Sequence, residues 1–327
     1  MDISVLGAGN VGLNLLRILK EKRDVFRSRY RVDINVVSVS DSRTTVFEPN
    51  GLDLGEVIEA KASGNLSRAE AKTISFDEIF DIDNEVIVDL MPATQDGVRG
   101  RDIYMKAFRK GRHVVTANKA PLALHWAQIM EEAASRGKMI RYEATVAGGV
   151  PLFSFRDYCI TPSEVISFRG IVSLTVNLVM RMMARGHSFQ EAVKYAQSMG
   201  VAETDYRDDT SGLDAARKTV ILANSLFGLS MSLNDLYYEG IDEGKRYRSS
   251  SRMVSTVSVE GGRVRAESRV EELSQEDPLL SLPEESLAYI IETENNGKLM
   301  VRSERDGPLE TAAAVVNDIV IMAREIC

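Results

Sequence analysis

The chain opens on a short alternation, Asp2-Ile3-Ser4-Val5-Leu6, that runs straight into Gly7-Ala8-Gly9-Asn10-Val11-Gly12. Beyond it, Val11, Leu15, Leu16, Leu19 and Phe26 recur at near-helical spacing, so a strand, a glycine-rich turn and an amphipathic helix are predicted in that order. A second strand is predicted over residues 30–40. A third is Val86-Ile87-Val88-Asp89-Leu90, an apolar run of the kind buried on both faces of a parallel sheet. Residues 102–110 read as a helix ended at Gly111, and His113-Val114-Val115-Thr116 as a strand. Leu122, Trp126, Ile129 and Ala133 mark a further helix that stops at Gly137. Strands alternating with helices over this half predict a doubly wound, Rossmann-type parallel sheet.

The second half has another rhythm. Residues 168–180 read as a strand passing into a helix, and Ser188-Phe189-Gln190-Glu191 is a capping box opening a helix that ends at Gly200. Residues 213–227 form an alanine-rich helix. From about residue 252 strands prevail, with turns at Gly261-Gly262 and Asn295-Asn296-Gly297. A last helix over 311–325 carries Val315, Ile319 and Met322 on one face. This half is predicted to be α+β, with a mostly antiparallel sheet and helices on one side. Segments 42–75 and 241–252 read as polar loops. The expected division is a dinucleotide-binding domain over 1–140 and a substrate, catalytic and dimerisation domain over 141–306. The helix in 307–327 is expected to pack back on the first domain.

Composition narrows the function classes. With 327 residues the chain suits two domains. Forty basic against 48 acidic residues, a formal −8, argue against a nucleic-acid partner. Two cysteines exclude a disulfide framework, and the three histidines are not spaced for zinc. The N-terminus reads as a first strand rather than a signal peptide, and no apolar run approaches the ~20 residues of a membrane span. A cytoplasmic protein is expected.

A strand, then G-x-G-x-x-G, then a helix brings backbone amides at a helix N-terminus to a pyrophosphate. Gly7 allows the tight turn, Gly9 the approach of phosphate, and Gly12 the packing of helix on strand. Asn10 and Val11 belong to the same cradle. NAD sites place an acid at the end of the second strand, but Asp33 falls at the start of the predicted one. Arg43, just past its end, is placed to pair with a 2′-phosphate, and Lys61 to join it. NADP is therefore expected, with NAD as the alternative.

Ala202-Glu203-Thr204-Asp205 and Asp208-Asp209-Thr210-Ser211-Gly212-Leu213-Asp214-Ala215-Ala216-Arg217-Lys218 form the densest polar cluster. Asp214 and Lys218, four apart, share a helical face. Alone they would be a surface ion pair worth ~0.3–0.5 kcal/mol. Four further carboxylates, Glu203, Asp205, Asp208 and Asp209, have no matching run of cations, and binding an ammonium group would give them a purpose.

At these residues the chain resembles the homoserine dehydrogenase family. The matches run in order from the glycine turn through Gly111-Arg112-His113-Val114-Val115-Thr116-Ala117-Asn118-Lys119 and Tyr142-Glu143-Ala144-Thr145-Val146-Ala147-Gly148-Gly149-Val150-Pro151 to the 202–218 cluster. The last two segments are specific to the family. The resemblance implies a short, monofunctional enzyme that interconverts L-aspartate-4-semialdehyde and L-homoserine with a nicotinamide cofactor. It implies Lys218 as the catalytic lysine, Asp214 as the acid that orients substrate, and Glu203, with Asp209, as carboxylates for its ammonium. Lys119 would lie between cofactor and substrate, with Thr94, Gly200 and Gly307 near the cofactor. A monovalent cation such as sodium would sit on carbonyl oxygens of Glu143, Val146, Gly148 and Val150. An antiparallel sheet that buries a face across a two-fold axis makes a homodimer the expected assembly.

Three positions depart from the family pattern. Tyr206 stands where a proline is usual, Leu174-Thr175-Val176-Asn177 replaces a glycine- and threonine-rich segment, and the C-terminal glycine cluster is thinned to Gly307-Pro308. The first and third are expected to affect cofactor fit and the second the shape of the substrate pocket. Two readings compete with the dehydrogenase. An aspartate-semialdehyde dehydrogenase needs a thiol nucleophile, which neither Cys159 nor Cys327 suits. A non-catalytic dinucleotide sensor would have no reason to keep Lys119, Glu203, Asp214 and Lys218 together.

Overall fold

The computed structural model describes residues 1–199, 201–202, 206–261 and 263–326. They divide into two compact units, Met1–Gly149 with Pro308–Cys327, and Val150–Gly307. The break falls nine residues beyond the one expected at 140, because the segment after the last strand of the first sheet is still held there by the C-terminal helix.

In the first unit, β1 (Asp2–Leu6) leads through the glycine turn into α1 (Asn10–Glu21). A short α2 (Arg23–Val25) continues as a π-helical turn over Phe26–Tyr30, which Arg31 ends in the left-handed conformation. The strand expected from residue 30 therefore begins only at β2 (Asn35–Ser40). The segment read as a loop over 42–75 holds β3 (Thr45–Phe47), α3 (Leu54–Ala62) and β4 (Lys72–Ile74). Strands of three residues show no period, but Asp53 is a sequence-level start signal, accepting from Gly55 and Glu56 N–H to cap α3. Then come β5 (Val86–Asp89), α4 (Val98–Arg109), β6 (His113–Thr116), α5 (Lys119–Ser135) and β7 (Ile140–Arg141). The sheet order is β4-β3-β2-β1-β5-β6-β7, parallel from β2 to β7 with an antiparallel edge. The C-terminal helix, Pro308–Ile326, buries Ala312, Val315, Ile319 and Met322 in the same core as Ile3, Leu15 and Leu19.

The second unit begins with α6 (Leu152–Cys159), β8 (Val165–Ile171), α7 (Leu174–Ala184), α8 (Phe189–Ser198), α9 (Arg207–Thr210) and α10 (Leu213–Phe227). Ser188 and Glu191 close both halves of the capping box on α8. The strands β9 (Tyr237–Tyr238), β10 (Ser251–Glu260), β11 (Arg263–Glu272), β12 (Leu287–Thr293) and β13 (Gly297–Ser303) complete a sheet ordered β13-β12-β8-β10-β11-β9. All its pairings are antiparallel except β9 with β11. The fold is thus α/β in the first unit and α+β in the second.

Candidate active site

The three glycines of the turn do three separate things. A Cβ on Gly7, whose φ is +108°, would stand 2.6 Å from the Leu90 carbonyl oxygen. One on Gly12 would stand 2.1 Å from the Gly7 oxygen, so only glycine lets α1 lie this close to β1. At Gly9 a Cβ would meet nothing within 4 Å, and it is this open space that a phosphate would fill. Gly9 is the N-cap of α1, no side chain caps that end, and its first turn, from Asn10 through Val11, carries no acid. The uncapped N–H groups suit an anion. Gly7 and Ala8 N–H both donate to Ser40 O at 3.0 Å, which fixes the turn against the end of β2.

At that end, Asp41 rather than Asp33 takes the position of the acid. Asp33 is an exposed partner of Arg27 at 2.7 Å, and this hydrogen bond holds its carboxyl below the ordinary range. Burial pushes Asp41 up, but the Lys61 ammonium at 2.5 Å and the N–H groups of Arg43 and Thr44 outweigh it and lower its pKa. Lys61 is therefore committed to Asp41, where the sequence suggested a phosphate ligand. The exposed Arg43 guanidinium makes no ion pair among the described residues. Thr94 lies in the β5–α4 loop, its hydroxyl donating to Asp96 at 2.7 Å, and Lys119 opens α5.

In the second unit, Gly212 caps α10 at φ +80°, where a Cβ would stand 2.1 Å from Glu239 O. The helix it starts carries Asp214 and Lys218. Their side chains, 11% and 14% exposed, meet at 2.9 Å, and the same ammonium donates to Val172 O at 2.8 Å. This is a buried pair rather than the surface pair that spacing alone suggests. Among the described residues these are the two acceptors of its three ammonium hydrogens. Asp209 lies half-buried in α9, and its carbonyl receives Gly212 N–H at 2.9 Å. Asp208 is not a spare carboxylate, because Arg217 donates to it at 2.7 Å. Gly200 and Glu203, with Thr204 and Asp205, lie outside the described residues. Gly307 is the last residue of this unit.

Two of the three departures pack against apolar clusters of the second unit. Val176 is fully buried with Met180, Tyr247 and Met253. Asn177 bonds the Met253 N–H and carbonyl at 3.0 and 3.2 Å, and Thr175 donates to Val201 O at 3.1 Å. Tyr206 stands edge-on to Phe189, centroids 6.2 Å apart, against the Leu178–Ala202 cluster.

Two buried acids escaped sequence reading. Asp318 of the C-terminal helix accepts from Arg141 Nε at 2.9 Å and from Glu143 N–H at 2.8 Å. Burial pushes its pKa up to about 7, with Arg141 opposing and Glu143 adding to the shift. Glu143 and Val146 are buried and Gly148 adopts φ +55°, all in the first unit, while Val150 opens the second. The other acid, Asp89, ends β5 fully buried. A lone carboxylate closing an apolar run was the signal that could have marked it.

Comparison with known proteins agrees along the whole chain. Residues 7–143 match a family model described as "Homoserine dehydrogenase, NAD binding domain", and residues 151–320 one described as "Homoserine dehydrogenase". The homoserine dehydrogenase of Methanocaldococcus jannaschii is 30% identical over 98% of each chain. The crystal structure of homoserine dehydrogenase from Thermoplasma acidophilum is 45% identical and superposes with a TM-score of 0.90 over 99% of each chain. A hyperthermophilic archaeal homoserine dehydrogenase in complex with NADPH is 26% identical with a TM-score of 0.87, covering 100% of this chain and 98% of that one. The chain belongs to the homoserine dehydrogenase family.

Proposed function

We propose that the reaction runs on Lys218, Asp214, Glu203, Asp209 and Lys119. The chain is an NAD(P)-dependent homoserine dehydrogenase, interconverting L-aspartate-4-semialdehyde and L-homoserine. When bound, the nicotinamide cofactor supplies the hydride. The open face of Gly9 and the uncapped start of α1 fit its pyrophosphate.

The buried Lys218–Asp214 pair carries this reading. As the aldehyde oxygen gains negative charge, the remaining Lys218 N–H stabilises it and then gives it a proton. Asp214 and Val172 O fix the ammonium in one direction, so little of its ordering is left to the moment of reaction. Glu203, Asp209 and Asp214 receive the α-ammonium of the amino acid. Lys119, at the start of α5, acts on the cofactor side.

Asp41 already accepts from Lys61 and from the Arg43 and Thr44 N–H groups, so the exposed Arg43 guanidinium selects NADP through its 2′-phosphate, and Thr94, Gly200 and Gly307 line the cofactor. A monovalent cation rests on the carbonyl oxygens of Glu143, Val146, Gly148 and Val150. The enzyme works as a cytoplasmic homodimer, which is supported by the sheet face carrying Ile290 and the 39% exposed Met300. No described helix is long and apolar enough to cross a membrane. The test is direct: L-aspartate-4-semialdehyde should trigger NADPH oxidation with homoserine as product, and a flat trace with both NADPH and NADH would leave the sensor reading.

A further inference from the structure

We propose that Asp89 is a positioning residue for this reaction, tying together the two loops that flank the nicotinamide half of the cofactor. The proposal rests on the cofactor reading above. A dinucleotide lies across the C-terminal edge of a doubly wound sheet, its pyrophosphate at the first helix and one ribose beyond β2. Its nicotinamide end then extends over β5 and β6, which follow β1 in the sheet. The loops leaving those two strands carry Thr94 and Lys119.

Asp89 is 0% exposed at the end of β5 and is bonded to both loops. Its Oδ1 accepts Met91 N–H at 3.0 Å, in the loop of Thr94. Its Oδ2 accepts the Asn118 side-chain N–H at 3.3 Å, beside Lys119, and the Tyr104 O–H of α4 at 2.7 Å. The Tyr104 and Thr116 hydroxyls also meet at 2.7 Å, and Thr116 Oγ1 accepts Asn118 backbone N–H at 2.9 Å. Asn118 N–H gives to Thr116 and Tyr104 O–H to Asp89, while the one hydrogen of Thr116 is shared between the Tyr104 oxygen and Asp89 O at 3.3 Å. Asp89 accepts at both oxygens, from Met91 N–H at one and from Tyr104 and Asn118 at the other, which a carboxylate does and an amide does not. An apolar residue here would leave Met91 N–H and the buried Tyr104 hydroxyl without these acceptors. An acid that gathers donors from both loops fixes where each leaves the sheet.

The experiment measures NADPH Kd by quenching of the single tryptophan, Trp126, alongside the melting temperature. Asp89→Asn turns an N–H2 against a donor and should weaken NADPH binding about tenfold, the factor for one buried donor left unpaired. Tyr104→Phe removes the hydroxyl between Thr116 and Asp89 and should shift Kd in the same direction, and it decides alone if Asp89→Asn does not fold. Asn84→Ala is the structural comparison. Its amide is equally buried just before β5, bonding Ser4 and Ile79 O, and its loss should lower the melting temperature with Kd unmoved. Asp89→Asn and Tyr104→Phe behaving like Asn84→Ala would overturn the proposal. Gly9→Val tests the underlying reading separately, since undiminished NADPH binding there would place the cofactor elsewhere.

Discussion

Replacing Lys218 by alanine should cost the enzyme twice, and the two costs can be separated. The ammonium lies 2.9 Å from Asp214 Oδ2 and 2.8 Å from Val172 O, with both charged side chains nearly out of solvent. Removing one partner of a buried ion pair destabilises by about 3–5 kcal/mol, because the other charge keeps its desolvation cost. Loss of a general acid costs about 10²–10⁴-fold in kcat, which corresponds to about 3–5 kcal/mol of barrier. The two figures overlap, so turnover of the single variant could fall merely because the fold suffers. Lys218→Ala with Asp214→Asn separates the folding cost, and because Asp214 also receives the substrate's ammonium, this double variant bears on catalysis only if its turnover recovers. The neutral amide removes the uncompensated charge, so urea unfolding should recover much of the lost stability while kcat stays low. Wild-type turnover in Lys218→Ala would make the pair an ordinary structural contact. Recovery of turnover with stability in the double variant would equally refute the proton-donor role.

Three further expectations follow from other parts of the molecule. Arg43→Ala should weaken NADP binding by about 1.5–3 kcal/mol, the range for hydrogen bonds to charged groups, with NAD almost unaffected; equal losses for both would make Arg43 a surface cation. Glu203→Gln should raise KM for homoserine before the melting temperature moves, and unchanged KM and kcat would take Glu203 out of the substrate site. His113 should make the fold acid-sensitive. Burial, then Lys138, holds its pKa below the ordinary value against the opposing effect of Glu85, while its Nδ1 accepts Met139 N–H at 3.0 Å. The unfolded chain takes up the proton near its ordinary pKa of about 6.5 and the folded one resists it, so stability falls as pH drops below that value. Asn at 113 keeps an acceptor without a titratable group, so it should flatten this loss in urea midpoints taken between about pH 5 and 7; an unchanged slope would clear His113.

What the sequence disclosed was what carries a period or a local signal. The glycine turn, the 213–227 helix and the Ser188 capping box depend on neighbours within a few residues, and they are found where the pattern puts them. The antiparallel edge β3–β4 was missed because each strand has three residues and leans on pairing with β2. Within the candidate site, Lys218 and Asp214 could be paired from their spacing, but their burial could not, since Val172 lies 46 residues away. Arg217 illustrates the same limit. Its pairing with Asp208 across nine residues uses up a carboxylate that the sequence seemed to leave free. The surroundings of Val176 were equally out of reach, since Tyr247 and Met253, which pack with it, lie far along the chain.

The most direct test follows the hydride itself. The protein is incubated with L-aspartate-4-semialdehyde and NADPH carrying deuterium at both C4 positions, and the homoserine formed is analysed by mass spectrometry. One deuterium on the carbinol carbon, in proportion to the NADPH consumed, is the expected result. Homoserine without deuterium, or NADPH left unconsumed beside the semialdehyde, would contradict hydride transfer by this chain.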